Sequence, residues 1–131
     1  MKVLALDFGR ARTGVAVSDP TGTLARPLGV VEHAATRDGL ERIAQLVAEQ
    51  SAESVVVGLP LTMAGERGEQ ARETERFVEL LSAELDVPVV TFDERFTTDL
   101  AQQTPSRGQE DARAAAHLLS SYLTWSSGAR A

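Results

Sequence analysis

Apolar and polar positions follow two different rhythms along the chain, and the switch between them divides it into elements. Three short β-like stretches come first. Lys2 to Asp7 is apolar up to its last residue, Thr13 to Ser18 reads Thr-Gly-Val-Ala-Val-Ser, and Thr23 to Val31 continues in the same manner around Pro27. The links between them, Gly9 to Arg12 and Asp19-Pro20-Thr21-Gly22, carry turn chemistry, so the three stretches predict an antiparallel meander. From Leu40 the apolar period lengthens. Leu40, Ile43, Ala44, Leu46 and Val47 share one helical face, with Glu41, Arg42, Gln45 and Glu49 opposite. Ser54 to Gly58 is a continuous apolar run bounded by Gly and Pro, as expected of a strand covered on both faces. Thr74, Phe77, Val78, Leu81 and Leu85 mark a second helix, Val87 to Asp93 a further strand, and Ala112, Ala115, Ala116, Leu119, Tyr122 and Leu123 a last helix between Glu110 and Trp125.

Strand–helix–strand units require parallel pairing through right-handed crossovers, which leaves few arrangements of this order. The pattern predicts an α/β fold: a mixed five-stranded sheet, made of the meander plus parallel strands, with helices on both faces. A chain of 131 residues accommodates this as one domain spanning residues 1–131. No apolar run is long enough to cross a bilayer or serve as a secretory core, so the expected location is the cytoplasm, with no membrane partner. Cysteine is absent, which excludes disulfide frameworks, thiol catalysis and thiolate metal sites.

Charge sharpens the question of partners. Nineteen acidic residues face 13 basic ones, a formal net charge of −6, whereas proteins that coat nucleic acid electrostatically are usually basic. An acidic protein still binds phosphate where metal ions bridge its carboxylates to the ligand. All basic residues but Lys2 are arginine, a type suited to bidentate phosphate contacts, although a genome rich in Arg and Ala codons explains the bias equally well.

Ligands of open α/β sheets gather beyond the carboxyl ends of strands. Asp7 ends the first strand, and Asp93 and Glu94 end the last. Because strand side chains alternate, only one of that pair faces the same side as Asp7. Asp111 falls in the first turn of the final helix. Taken singly, each has a plain structural reading, Asp111 as a complement to the helix dipole and Asp93 as a turn residue. Three converging carboxylates repel one another unless cations neutralise them, and all-oxygen ligation selects hard ions such as Mg²⁺ or Mn²⁺.

Several motifs in order, Asp7-Phe8-Gly9 with Arg12, Gly14-Val15-Ala16-Val17-Ser18-Asp19, Val57-Gly58-Leu59-Pro60-Leu61, Asp93-Glu94-Arg95-Phe96-Thr97-Thr98 and Asp111-Ala112, resemble the YqgF family, also called RuvX. The resemblance runs from Met1 to about Tyr122 and implies an RNase H-like fold. It also implies a metal-dependent nuclease that hydrolyses phosphodiester bonds, acting on the 5′ end of precursor 16S ribosomal RNA or as a Holliday junction resolvase. On the family pattern Asp7, Glu94 and Asp111 are the catalytic, metal-binding carboxylates around Mg²⁺ or Mn²⁺, two ions with Asp7 shared. Arg12 and Arg95 match basic positions expected to contact substrate phosphate, with surface ion pairing as the competing reading. Gly58, Pro60 and Gly65 belong to a candidate flap over the site, or to a plain connection. The expected partner is nucleic acid, RNA or DNA, and the expected state monomer or homodimer, since a resolvase needs two symmetric sites. A reading of another class, a non-catalytic nucleic-acid-binding module of the same fold, draws on the acidic surface and on one departure. Between Thr98 and Asp111 the chain is shorter than the family usual, and Arg107 is its only basic residue there.

The remaining reactive residues add little. His33 and His117 are expected to be solvated or structural. Tyr122 and Trp125 are expected to pack on the core rather than stack on a base, and no Ser or Thr has a base beside it for a nucleophilic triad. A phosphate-holding kinase with the same Asp-x-Gly turn needs two lobes, and the chain supplies one.

Overall fold

In the computed structural model, which describes residues 1–96 and 109–128, five strands form one mixed sheet of order β3-β2-β1-β4-β5. The meander comprises β1 (Val3–Asp7), β2 (Arg12–Ser18) and β3 (Ala25–Glu32), paired antiparallel. Helix α1 (Arg37–Gln50) leads to β4 (Ser54–Leu59), which lies parallel to β1, and α2 (Glu69–Glu84) leads to β5 (Val89–Asp93), parallel to β4. A 3₁₀ turn, Glu94–Phe96, follows β5, and α3 (Gln109–Gly128) is the last element. The expected fold class and element order are therefore present.

Two apolar layers sandwich the sheet, and strand alternation sorts residues between them. Leu4, Leu6, Val15, Val55 and Val57 meet Ile43 and Leu46 of α1 and Phe77 and Leu81 of α2. Val3, Ala5, Ala16, Val56 and Phe92 meet Ala115, Leu118, Leu119 and Leu123 of α3 on the other face. β1 is the central strand and is buried on both faces up to Leu6, so its chain leaves the sheet at Asp7. The α3 layer is built from small residues. Ala112 and Ala115 of the helix let it lie close on the sheet, and at Gly14 of β2 a side chain would overlap the carbonyl oxygen of Asp111. The start of α3 is thereby registered directly against the strand that neighbours Asp7.

Both long helices on the other face begin earlier than their apolar stripes. Thr36 caps α1, its hydroxyl accepting from the Gly39 amide at 3.2 Å, and adds a polar first turn before Leu40. α2 gains Glu69 to Glu73 ahead of Thr74, with Ala71 the one buried residue among them. At the far end of α3, Tyr122 stacks edge-on against Phe92 with ring centroids 5.6 Å apart, as a core residue does. Trp125 touches the same ring but remains 54% exposed, so it covers the rim of the core rather than entering it. No helix among the described residues is long and apolar enough to cross a membrane.

Candidate active site

Two acidic groups meet where β1 and β5 end. Asp7 follows Val3 and Ala5 on the α3 side of β1, by simple alternation. Glu94 stands one residue past β5, on the parity of Phe92, which faces the same layer. The strand between them, β4, is bare at this level: Gly58 pairs with Phe92 in register, and a Cβ there would lie 2.6 Å from Glu94 Oε1. The missing side chain gives the Glu94 carboxyl its place, and so Gly58 sits inside β4 rather than in the following loop.

The Glu94 and Asp7 carboxyls lie within hydrogen-bonding reach of each other, so each shifts the titration of the other. Burial is the first reason: it raises both groups above their ordinary values, Glu94 to about 8, and the Asp7 charge pushes Glu94 further in the same direction. For Asp7 the bond from Glu94 pulls downward, while the nearby Asp111 charge adds to the rise. Two like charges in one half-buried place repel each other, and a bound cation would offset that repulsion.

Asp111 approaches from α3, and its Oδ2 lies 3.1 Å from Nε of Arg12. That contact is a meeting of charges without hydrogen-bond alignment, since the same Oδ2 is buried and has no hydrogen-bond partner. Asp7, Glu94 and Asp111 are thus gathered at one end of the sheet, Asp7 in the middle. Among the described residues they do not form a closed set of three or more ligands at metal-holding distances. The donors nonetheless suit a hard divalent ion. All are carboxylate oxygens, two of the carboxyls are raised by burial and by neighbouring negative charge that a cation would offset, and one oxygen is buried without a directed partner.

A cleft of about 460 Å³ opens beside Asp7 and Glu94. Phe8 and Arg10 of the β1–β2 turn line it, with Pro60 and, from α2, Gln70, Glu73 and Thr74. Phe8 stacks on Phe77 with centroids 4.4 Å apart and fixes the turn against α2. Neither His33 nor His117 lines the cleft.

Arg12 and Arg95 are both engaged within the protein. Arg95 chelates Asp93, with Nε 3.1 and 3.0 Å from the two carboxylate oxygens and Nη2 2.6 Å from Oδ2, and these bonds hold Asp93 below the usual carboxylate range. Its Nη1 also reaches the Met63 carbonyl at 3.5 Å and lies over Gly65, so it ties β5 to the loop after β4. That loop, which carries Pro60 and Gly65, is braced internally by Thr62, whose backbone and hydroxyl bond to Gly65 and Glu66. Thr97, Thr98 and the short interval containing Arg107 lie outside the described residues. The pattern of apolar residues did not single out Arg10 or Glu73. Arg10 sits in a turn, and Glu73 belongs to the polar opening of α2; their common signal is proximity in sequence to Asp7 and to the start of a helix.

A family model described as RuvX, Holliday junction resolvase, matches residues 1–125 of the chain. A protein of Chloroflexus aggregans provisionally named a pre-16S rRNA nuclease is 43% identical over 130 residues, covering 92% of each chain. A relative of the same name from Sulfurihydrogenibium sp. is 40% identical over 131 residues, 93% of this chain and 89% of its own. Among solved structures, Thermus thermophilus RuvC in complex with a Holliday junction superposes with a TM-score of 0.64 at 18% identity, covering 98% of this chain and 96% of that one. This likeness concerns the fold, which is RNase H-like.

Proposed function

The chain belongs to the RuvX family, and from that premise we propose that it is a divalent-metal-dependent nuclease whose catalytic centre is the meeting point of Asp7, Glu94 and Asp111. The observation that carries the proposal is the meeting of Asp7 and Glu94 beside a cleft, with a third carboxylate, Asp111, in electrostatic reach. Adjoining, largely buried carboxyls are costly for a fold to maintain. Relatives named for pre-16S rRNA make a precursor ribosomal RNA the favoured substrate.

In this reading Asp7 and Glu94 would hold one Mg²⁺ or Mn²⁺, and Asp7 and Asp111 the second, and the ions would supply charge neutralisation at phosphorus and an acidified water. Glu94 would bind as the carboxylate, Asp7 would serve both ions, and Asp111 would exchange its Arg12 contact for an ion, leaving Arg12 beside the substrate phosphate. The Asp93–Arg95 chelate keeps the Glu94 backbone in place and anchors the loop that closes one wall.

Asp7→Asn is expected to abolish Mn²⁺- or Mg²⁺-dependent cleavage of labelled oligonucleotides while leaving the protein folded, since an amide preserves shape and a hydrogen bond to Glu94. Full activity in the purified variant overturns the assignment. The family's description favours a second substrate, a four-way DNA junction. Cleavage of a junction in preference to single-stranded RNA, together with a dimer by light scattering, selects that reading.

A further inference from the structure

We infer that Arg10 is the guanidinium that receives a phosphate of the nucleic-acid strand in the cleft, and that Glu73 holds it there until the strand arrives. This rests on the nuclease reading of the site and adds a substrate-binding residue to it.

Among the described residues, the cleft is lined by four carboxylates, Asp7, Glu69, Glu73 and Glu94, and by one cationic side chain, Arg10. A polyanion entering such a place meets repulsion that ions at Asp7 would relieve only locally. Any phosphate further along α2 needs a separate cation, and of the described lining residues Arg10 is the one that offers it. The two arginines singled out by sequence do not serve this wall. Arg95 is committed to Asp93 through several bonds with its side chain 34% exposed, and Arg12, beside Asp111, does not line the cleft. Arg10 is 78% exposed and carries a single partner, Glu73. Its Nη2 contacts Glu73 Oε1, while its Nε lies 3.4 Å from Oε2, a long second bond.

An exposed ion pair of this kind is weak, so exchanging its carboxylate for a phosphate costs little. The guanidinium fork matches phosphate as well as carboxylate and stays charged at every working pH. Glu73 has a use in the empty state: it keeps Arg10 folded over the cleft rather than free in solvent. The turn beneath is fixed by the Phe8–Phe77 stack, so the release of Arg10 is a side-chain movement.

The test measures binding of short fluorescein-labelled single-stranded RNA by anisotropy over a salt series, with wild type, Arg10→Gln, Glu73→Gln and the double variant. Arg10→Gln is expected to weaken binding about tenfold and to reduce the slope of log K against log salt by about 0.7, the loss of one phosphate contact. Glu73→Gln is expected to tighten binding several-fold, and that gain is expected to vanish in the double variant. In cleavage assays the Arg10 effect falls on KM, with kcat within about twofold. Unchanged binding by Arg10→Gln, or a Glu73→Gln gain that persists in full without Arg10, overturns the inference. Asp7→Asn in the same series separates the two readings. Retained cleavage there removes the nuclease centre, whereas unaltered binding by Arg10→Gln removes only this assignment. Failure of wild type to bind removes this assignment and single-stranded RNA as the substrate, while the cleavage assay of Asp7→Asn on a four-way junction still decides the centre.

Discussion

Replacing Glu94 by Gln tests the raised Glu94 carboxyl directly. An acid that the fold holds at about 8, against 4.5 when unperturbed, binds a proton on folding between those values. Its stabilising contribution is complete below pH 4.5 and is lost as pH rises through 8. At about 1.4 kcal/mol per pH unit the loss has a ceiling of about 5 kcal/mol; partial access to water and relaxation reduce it to about 1–2 kcal/mol. For a domain of this size each kcal/mol moves Tm by roughly 3 °C, so metal-free wild type should lose roughly 3–6 °C more than Glu94→Gln between pH 5 and pH 9. Asp7, also raised, titrates in both proteins and feels Glu94, so the difference between their curves reads the loss of the Glu94 acid together with its effect on Asp7. Differential scanning fluorimetry in chelator reads this out. Added Mg²⁺ or Mn²⁺ should recover the wild-type loss at pH 9 by taking the proton's place, with little effect on the variant. Parallel Tm–pH curves for the two proteins would refute the reasoning.

Two glycine substitutions separate site from scaffold. Gly58→Ala places a methyl against the flexible end of Glu94, so Tm should fall by only a few degrees while metal-dependent cleavage drops at least about tenfold. Equal activity in the purified variant would show that the Glu94 position is immaterial. Gly14→Ala drives a methyl into the backbone of Asp111, which cannot yield without moving α3, and should cost about 3 kcal/mol or more by urea denaturation. A loss below about 1 kcal/mol would mean that the helix is not seated on β2 as described.

Much of this arrangement was legible in the chain because it depends on periodicity. The run Val3 to Leu6 ending in Asp7, the buried strand at Val55 to Val57 and the stripe through Ala115 and Leu119 each specify an element and a face without reference to the others. Alternation allowed only one of Asp93 and Glu94 to face the side of Asp7, and the family resemblance named Glu94, which shares the parity of Phe92 in the structure. The partners of the arginines were not legible. Whether Arg12 meets Asp111 or a phosphate depends on rotamers and on the angle of α3, and spacing along the sequence encodes neither. Glu73 was hidden for another reason: the stretch Glu69 to Glu73 has one buried residue, Ala71, so its helical period has too little apolar contrast to register. Gly58 looked like the opening of a loop because Pro60 follows closely, yet the strand continues to Leu59 and the glycine makes room for a carboxyl from the neighbouring strand.

The seating of α3 on Gly14 also makes the proposed centre conditional on the docking of one helix. Asp7 ends β1 and Glu94 follows β5, whereas Asp111 rides on α3. A chain whose sheet has already formed therefore has no complete centre until α3 settles on β2. Any opening that lifts this helix would carry the third carboxylate away from the other two.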